Sequence, residues 1–256
     1  MSPANRVLVV GASGELGSAL ALIHARRGAR LSLWGRDLDR LERVARACED
    51  AGAASAEVRS LDLENLDAAL AALELDDNVD PFGMALFAAG LGDIRGKDDL
   101  AEDPALVTRL GKVNFIAPAA ISAALANRMA RRGRGRIVIV GSVAGFHSLP
   151  FAAAYAGSKA GLARFAEALG IAVRPHGVAV TLVSPGFIDT AAARRVPGPK
   201  PFAMSAAAAA AKIVKAVDHG KHHIIIPWQF GLLGIVDRCL PRWLRDRLLR
   251  AAAPAD

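Results

Sequence analysis

The chain has 256 residues, 53% of them hydrophobic and 22% charged, with a formal net charge of +7 at pH 7. Such a chain can bury one large core, is short for two independent ones, and is too apolar for a disordered protein. The excess of Arg suits acidic ligands such as dinucleotide phosphates, but no basic run carries interleaved aromatics, so no nucleic-acid partner is expected.

Short apolar runs alternate with longer helical patterns along the whole chain. Val7–Val10 reads as a first strand and Gly14–Arg27 as a helix; Ala29–Trp34 as a second strand and Leu38–Ala51 as a helix. Glu57–Leu61 is a third strand, Leu66–Leu73 a helix, and Met84–Ala88 a fourth strand. Asp103–Arg131 carries one long helical pattern that opens with Asp-Pro as cap and first turn. Arg136–Val140 is a fifth strand, Ala152–Val173 a helix ending near Pro175 and Gly177, Val178–Val183 a sixth strand and His223–Ile226 a seventh. Strands that are apolar throughout are buried on both faces, which implies a parallel sheet covered by helices on each side, a doubly wound α/β fold. Pro185–Met204, rich in Pro, Gly and small residues, reads as a mobile loop after the sixth strand, where ligands bind in such folds. Residues 1–226 form the expected dinucleotide-binding domain, and 227–256 an extension that packs on it. The stretch before Gly11 is too short for a signal-peptide core, and no apolar run reaches membrane-spanning length. Cys48 and Cys239 form no CxxC pair, so a reduced, cytoplasmic protein is expected.

Two stretches carry chemistry. The first, Gly11-Ala12-Ser13-Gly14-Glu15-Leu16-Gly17, follows the first strand and opens a helix. Glycines there let backbone approach a pyrophosphate, and the helix N-terminus supplies free N–H groups and the positive end of its dipole. The second strand ends Gly35-Arg36-Asp37. An acid at the strand end would bind a ribose 2′-hydroxyl and repel a 2′-phosphate; that position is Gly35, and Arg36 offers paired N–H donors to a phosphate. NADP is therefore favoured over NAD, with Asp37 read as the cap of the next helix. Asp62 either contacts the adenine or forms a turn. Ala88-Ala89-Gly90 would let a flat ligand lie against backbone.

The second stretch is Tyr155-Ala156-Gly157-Ser158-Lys159. Residues i and i+4 share a helix face, so the lone tyrosine and Lys159 point the same way. A nearby ammonium stabilises phenolate and lowers a phenol pKa that is otherwise about 10. Ser142, just after the fifth strand, can hydrogen-bond a substrate carbonyl oxygen. Asn114 sits in a helix interior, where Asn is disfavoured, and would hold a kink or a water leading to Lys159.

The set Gly11/Gly14/Gly17, Ala88-Ala89-Gly90, Asn114, Ser142, Tyr155, Lys159 and Pro185-Gly186 resembles the short-chain dehydrogenase/reductase family in order and spacing, over about residues 6–226. The resemblance implies a single Rossmann-like domain with a seven-stranded parallel sheet, and a hydride transfer between NADP(H) and a carbonyl or secondary alcohol. Tyr155 would be the acid/base, Lys159 would bind the nicotinamide ribose and tune Tyr155, Ser142 would orient the carbonyl, and Asn114 would position a relay water. Gly11, Ser13, Gly14, Glu15, Leu16, Gly17, Arg36, Asp62, Ala88, Ala89, Gly90, Tyr155, Lys159, Pro185, Gly186, Ile188 and Thr190 would contact the cofactor. The resemblance also implies a homodimer or homotetramer built on the helices holding Asn114 and Tyr155. Three positions depart from the family pattern: the second glycine stands one place early, at Gly14, with Glu15 in its usual spot; Phe87 replaces the Asn before Ala-Ala-Gly; and Val10 replaces the Thr before the first glycine.

Gly92, Val143, Phe146, His147, Leu149, Phe187 and the loop through Met204 form a candidate pocket wall whose apolar character points to an apolar or lipid-like substrate. Arg194, Arg195 and Lys200 are read as solvated rather than as a clamp for an acidic substrate. Adjacent histidines on a strand face opposite ways, so His219, His222 and His223 are not expected to share a metal. Trp228–Arg250 is apolar and Arg-rich, which suits either packing over the pocket or peripheral contact with an acidic membrane surface. Two alternatives stay open: a non-catalytic dinucleotide sensor or scaffold, and a membrane-surface keto-reductase acting on a lipid carrier.

Overall fold

The computed structural model describes residues 6–92, 99–195 and 198–251. Residues 196–197 of the loop after the sixth strand and the last five residues of the C-terminal stretch lie outside these. Seven strands form one parallel sheet: β1 (Arg6–Val10), β2 (Arg30–Gly35), β3 (Ser55–Ser60), β4 (Met84–Phe87), β5 (Gly135–Val140), β6 (Val178–Pro185) and, last in the chain, β9 (His223–Ile226). Their order is β3-β2-β1-β4-β5-β6-β9, so the chain winds outward from β1 to one edge and then returns to wind toward the other. The reversal lies between β1 and β4, the place where open α/β sheets bind ligands beyond the C-terminal strand ends.

The central strands β1 and β4 are apolar on both faces because each face meets a different core. In β1, Val7 and Val9 join a core built with α1 (Glu15–Ala25), α2 (Leu38–Asp50) and α8 (Ala206–Asp218). Leu8 and Val10 join another, built with α3 (Leu66–Val79), α5 (Ala117–Arg131) and α6 (Ala153–Val173). The period-2 alternation of side chains along a strand makes this division automatic. At the N-terminal end of the sheet, buried Arg6 lies over the Phe82 ring and pairs with Asp80 and Glu57, away from the site.

Strand positions agree with the sequence reading to within one or two residues, but the helical pattern over Asp103–Arg131 is not one α-helix. It divides into α4 (Pro104–Gly111), a π-helical turn at Lys112–Ile116 and α5. Within the turn, Ala117 N–H donates to Lys112 C=O five residues back. Pro118 is the local cause, because it has no N–H to give the carbonyl of Asn114 four residues earlier. The described residues of the segment after β6 include regular structure. Two-residue strands β7 (Ile188–Asp189) and β8 (Met204–Ser205) pair in parallel, with the short helix α7 (Ala191–Arg195) between them. The C-terminal stretch forms α9 (Gln229–Cys239) and α10 (Arg242–Ala251).

Candidate active site

The glycine turn after β1 is shaped by close backbone approach. Gly11 has φ +88°, and a Cβ on it would lie 2.5 Å from Ala89 N. A Cβ on Gly17 would overlap Gly11 O. Both positions therefore exclude any side chain, and together they bring the start of α1, the end of β1 and the Ala88–Ala89 backbone into contact. Gly11 N–H and Ala12 N–H both donate to Trp34 C=O, at 2.8 and 3.0 Å, which ties the turn to the end of β2. Gly14 differs: a Cβ there would meet only Gly11 O, at an ordinary 3.4 Å.

Glu15 stands next to it, and its carboxylate accepts from Ala191 N–H at 2.9 Å and lies 3.8 Å from the Arg194 guanidinium. Arg194 also pairs with Asp189 at 2.6 Å. The carboxylate caps the exposed N-terminus of α7 and joins α1 to the segment after β6.

At the end of β2, a Cβ on Gly35 would lie 2.7 Å from Ser13 Oγ, so the Ser13 hydroxyl fills the space where a side chain at 35 would begin. Arg36 is exposed, with its carbonyl held by Ser60 Oγ at 3.0 Å. Asp37 caps α2, accepting from Arg40 N–H at 3.0 Å and pairing with Arg40 Nε at 3.2 Å. Asp62 is exposed and forms a turn, its Oδ1 accepting from Glu64 N–H at 3.0 Å.

The second cluster lies beyond the C-terminal ends of β4 and β5. Ser142 follows β5 and caps a 3-10 turn (Val143–Phe146), its hydroxyl accepting from Ala144 N–H at 3.1 Å. That turn presses on α6: a Cβ on Gly145 would lie 2.9 Å from Ala160 N. Ser142 is thereby held against the helix carrying Tyr155 and Lys159, and its side chain hydrogen-bonds the Tyr155 phenol. Glu102 caps the start of α6, both its oxygens accepting from Ala154 N–H at 3.0 and 3.1 Å.

Lys159 is buried and donates to Val140 C=O at 3.3 Å. A Cβ on Gly90 would lie 3.2 Å from Lys159 Nζ and 3.5 Å from Asn114 Oδ1, so β4's following turn, α6 and the π turn converge on one point. Asn114, fully buried, was expected to hold a kink or a water. Its side chain grips a backbone instead: Oδ1 accepts from Leu91 N–H and Nδ2 donates to Leu91 C=O, both at 2.8 Å. The kink is present as the π turn.

Burial lowers the Lys159 ammonium to a pKa of about 8. Burial raises the Tyr155 phenol above its usual value, with the Ser142 hydrogen bond acting against it. The sequence reading expects a lowered phenol. Within the protein alone the desolvation of Tyr155 outweighs the Ser142 hydrogen bond, and the phenol stays protonated at neutral pH.

The chain that carries this glycine cradle and this Ser–Tyr–Lys cluster matches a family model for short chain dehydrogenases over residues 5–199. The chain belongs to the short-chain dehydrogenase/reductase family. An uncharacterized oxidoreductase of Myxococcus xanthus is 34% identical over 244 residues, covering 95% of each chain. One of Mycobacterium tuberculosis is 32% identical over 251 residues, 95% of this chain and 97% of that one. Among solved structures, a short-chain dehydrogenase from Sphingobium yanoikuyae in complex with NADPH superposes with a TM-score of 0.79 at 27% identity, over 91% of this chain and 94% of its own. A bulky-bulky ketone specific alcohol dehydrogenase from Comamonas testosteroni gives 0.78 at 26%, over 92% of each. The protein is thus an oxidoreductase of a family that binds NAD(P), and its cradle at Gly11, Gly17 and Ala89 fits that cofactor.

The family spacing led to Asn114, Ser142, Tyr155 and Lys159, and the structure brings all four to one end of the sheet. Sequence reasoning missed Gly145 and Glu102, which fix the cluster, and the α9 contacts. The only signal for Gly145 is its place in a turn next to Ser142; Glu102 gives none, since its partner lies 52 residues away. Phe230 of α9 lies so close to Gly186 that a Cβ there would overlap its ring, Gly234 packs on Phe146, and Asp237 faces His147 Nδ1 at 3.3 Å. Pro185 ends β6 and Gly186 N–H donates to Ile226 C=O at 2.7 Å. Thr190 caps α7 through Ala193 N–H at 3.1 Å. His223 Nε2 hydrogen-bonds Ser184 Oγ at 2.9 Å, and His219 Nδ1 donates to Lys215 C=O at 2.6 Å.

Proposed function

We propose that the protein is an NADPH-dependent reductase of bulky, apolar ketones, with Tyr155 as proton donor. The observation that carries this reading is the convergence of Ser142, Tyr155 and Lys159 beside Gly90. A carbonyl oxygen accepting from both Ser142 and Tyr155 is polarised before reaction. The bound nicotinamide supplies the hydride. Tyr155, protonated at neutral pH, gives its proton to the forming alkoxide. Lys159, itself charged below about pH 8, favours the phenolate that remains and returns a proton through a water on the Asn114 carbonyl.

NADPH is preferred over NADH because Asp37 is committed to capping α2, Gly35 offers no acid to a 2′-hydroxyl, and Arg36 stands exposed at the strand end beside Ser13. The NADPH in the similar Sphingobium enzyme supports the same choice. Phe187 and Phe202 both lie edge-to-face on Phe230, with ring centroids 6.1 and 6.0 Å apart, and give the site an aromatic wall suited to a bulky apolar group. The bulky-ketone specificity named for the Comamonas enzyme agrees with this. A homodimer or homotetramer built on α4–α5 and α6 is supported by the exposed Val107, Ile116 and Ile171 on those elements. The free Cys48 and Cys239 suit the cytoplasm, and no helix among the described residues is long and apolar enough to cross a membrane.

The test is Tyr155→Phe. Ketone-dependent NADPH oxidation should fall by roughly 10²–10⁴-fold, while NADPH affinity from nicotinamide fluorescence stays close to that of the parent. Retained turnover would refute Tyr155 as the donor.

A further inference from the structure

Helix α9 has two faces with different duties. Phe230, Gly234 and Asp237, spaced four and three apart, form one stripe, which packs on Gly186, Phe146 and His147. Trp228, Leu232, Leu233 and Val236 lie on the other side, and each is about half exposed or more. The apolar surface continues onto α10 with Trp243, 69% exposed, and Leu248, 50% exposed. That helix buries no residue at all. Phe202 and Phe187, both exposed, extend the same surface through their edge-to-face contacts with Phe230, whose ring packs on Gly186 at the end of β6.

The charge on this surface is one-sided. Residues 228–250 hold five Arg against two Asp. Asp237 is turned inward onto His147, and Asp246 is shared between Arg242 and Arg245. Arg242, Arg247 and Arg250 are exposed. Exposed Trp and Leu beside exposed Arg on a short helical pair is the composition of a segment that lies in the plane of an anionic bilayer, apolar side chains among the acyl chains and guanidinium groups at the lipid phosphates. A second copy of the chain fits less well, since a two-fold contact would set this basic surface against itself.

We propose that α9 and α10 dock the protein on an anionic membrane surface, so that the mouth framed by Phe187, Phe202 and Phe230 opens toward the lipid. Docking itself does not depend on the reductase reading. The consequence for the substrate does: an apolar ketone would reach Ser142 and Tyr155 from the bilayer rather than from water.

The experiment is co-sedimentation of the full chain with phosphatidylcholine vesicles, with and without phosphatidylglycerol. Tryptophan emission is read in parallel: Trp228 and Trp243 would move to the blue on binding, whereas Trp34, already buried, would not. We expect binding to the anionic vesicles only. We expect the triple variant Arg242→Glu/Arg247→Glu/Arg250→Glu to reduce it at least about tenfold, with an unchanged melting curve showing that the fold survives. Trp243→Ser should weaken binding and remove part of the spectral shift. Failure of the parent chain to bind, or equal binding by the triple variant, would overturn the proposal. So would a dimer, seen by sedimentation velocity without lipid, that the same substitutions dissociate, because the face would then belong to a second copy. Since turnover is not read, a negative result here leaves Tyr155 untouched, and inactive Tyr155→Phe leaves docking untouched.

Discussion

Lys159 is held in place against its own electrostatic preference, and removing its charge should make the protein more stable. The side chain is 4% exposed, and burial moves its pKa from 10.5 to about 8. At about 1.36 kcal/mol per tenfold change in proton affinity, that displacement is roughly 3 kcal/mol of destabilisation. Its pH dependence has a definite sign. Below about pH 8 both folded and unfolded chains carry the charge, and the folded state bears the whole cost; as pH rises from about 8 toward 10.5 the folded amine is already neutral and the cost disappears. Lys159→Met fills a similar volume without charge but leaves Val140 C=O without its donor, a loss of about 1 kcal/mol. The net gain near pH 7 is then about 2 kcal/mol, or about 4–8 °C in melting temperature for a chain of this size. Melting curves of parent and variant between pH 6 and 9.5 test this. The variant should melt higher at pH 7, with the gap shrinking above pH 8. A variant that melts lower than the parent at pH 7, or a gap that does not vary with pH, would refute the burial argument.

Arg36→Ala should weaken NADPH binding by about 10–100-fold, the value of one or two charge-assisted hydrogen bonds, and leave NADH affinity unchanged in the same fluorescence titration. The two glycines nearest the start of α1 should respond differently. Gly17→Ala puts a Cβ into Gly11 O and should lower the melting temperature by several degrees and abolish dinucleotide binding, while Gly14→Ala should leave stability within about 0.5 kcal/mol of the parent. Phe230→Ala removes the ring that faces Phe187 and Phe202. In steady-state assays it should raise KM for bulky aromatic ketones far more than for small ones, and an equal change for both would argue against an aromatic wall.

The doubly wound sheet was legible because its central strands are buried on both faces and so appear as apolar runs. Val7–Val10, Met84–Phe87 and His223–Ile226 needed no tertiary information. The Ser142–Tyr155–Lys159 cluster was legible because its spacing resembles the family's, and Tyr155 and Lys159 share a helix face. The π turn was not, since a single extra residue shifts the helical phase without interrupting the apolar pattern; Pro118 was the one local sign. Glu102 over the start of α6, Glu15 on Ala191 and α9 on the turn after Ser142 join parts of the chain that hydrophobic periodicity does not relate. Glu15 is instructive. From spacing alone it occupies a glycine position at the pyrophosphate, yet its carboxylate turns outward to the N-terminus of α7, which leaves Gly11 and Gly17 to form the cradle.

Helix α9 lies outside the stretch that the family model covers, which ends at residue 199, whereas Gly11, Ser142, Tyr155 and Lys159 lie inside it. The Ser142–Tyr155–Lys159 cluster and the helix that packs beside it are therefore written in different parts of the chain, joined by the fit of Phe230 on Gly186 and Gly234 on Phe146. Such an arrangement lets the two diverge separately. The last thirty residues can drift in shape and polarity without disturbing the packing around Ser142, Tyr155 and Lys159, provided the two glycine contacts survive.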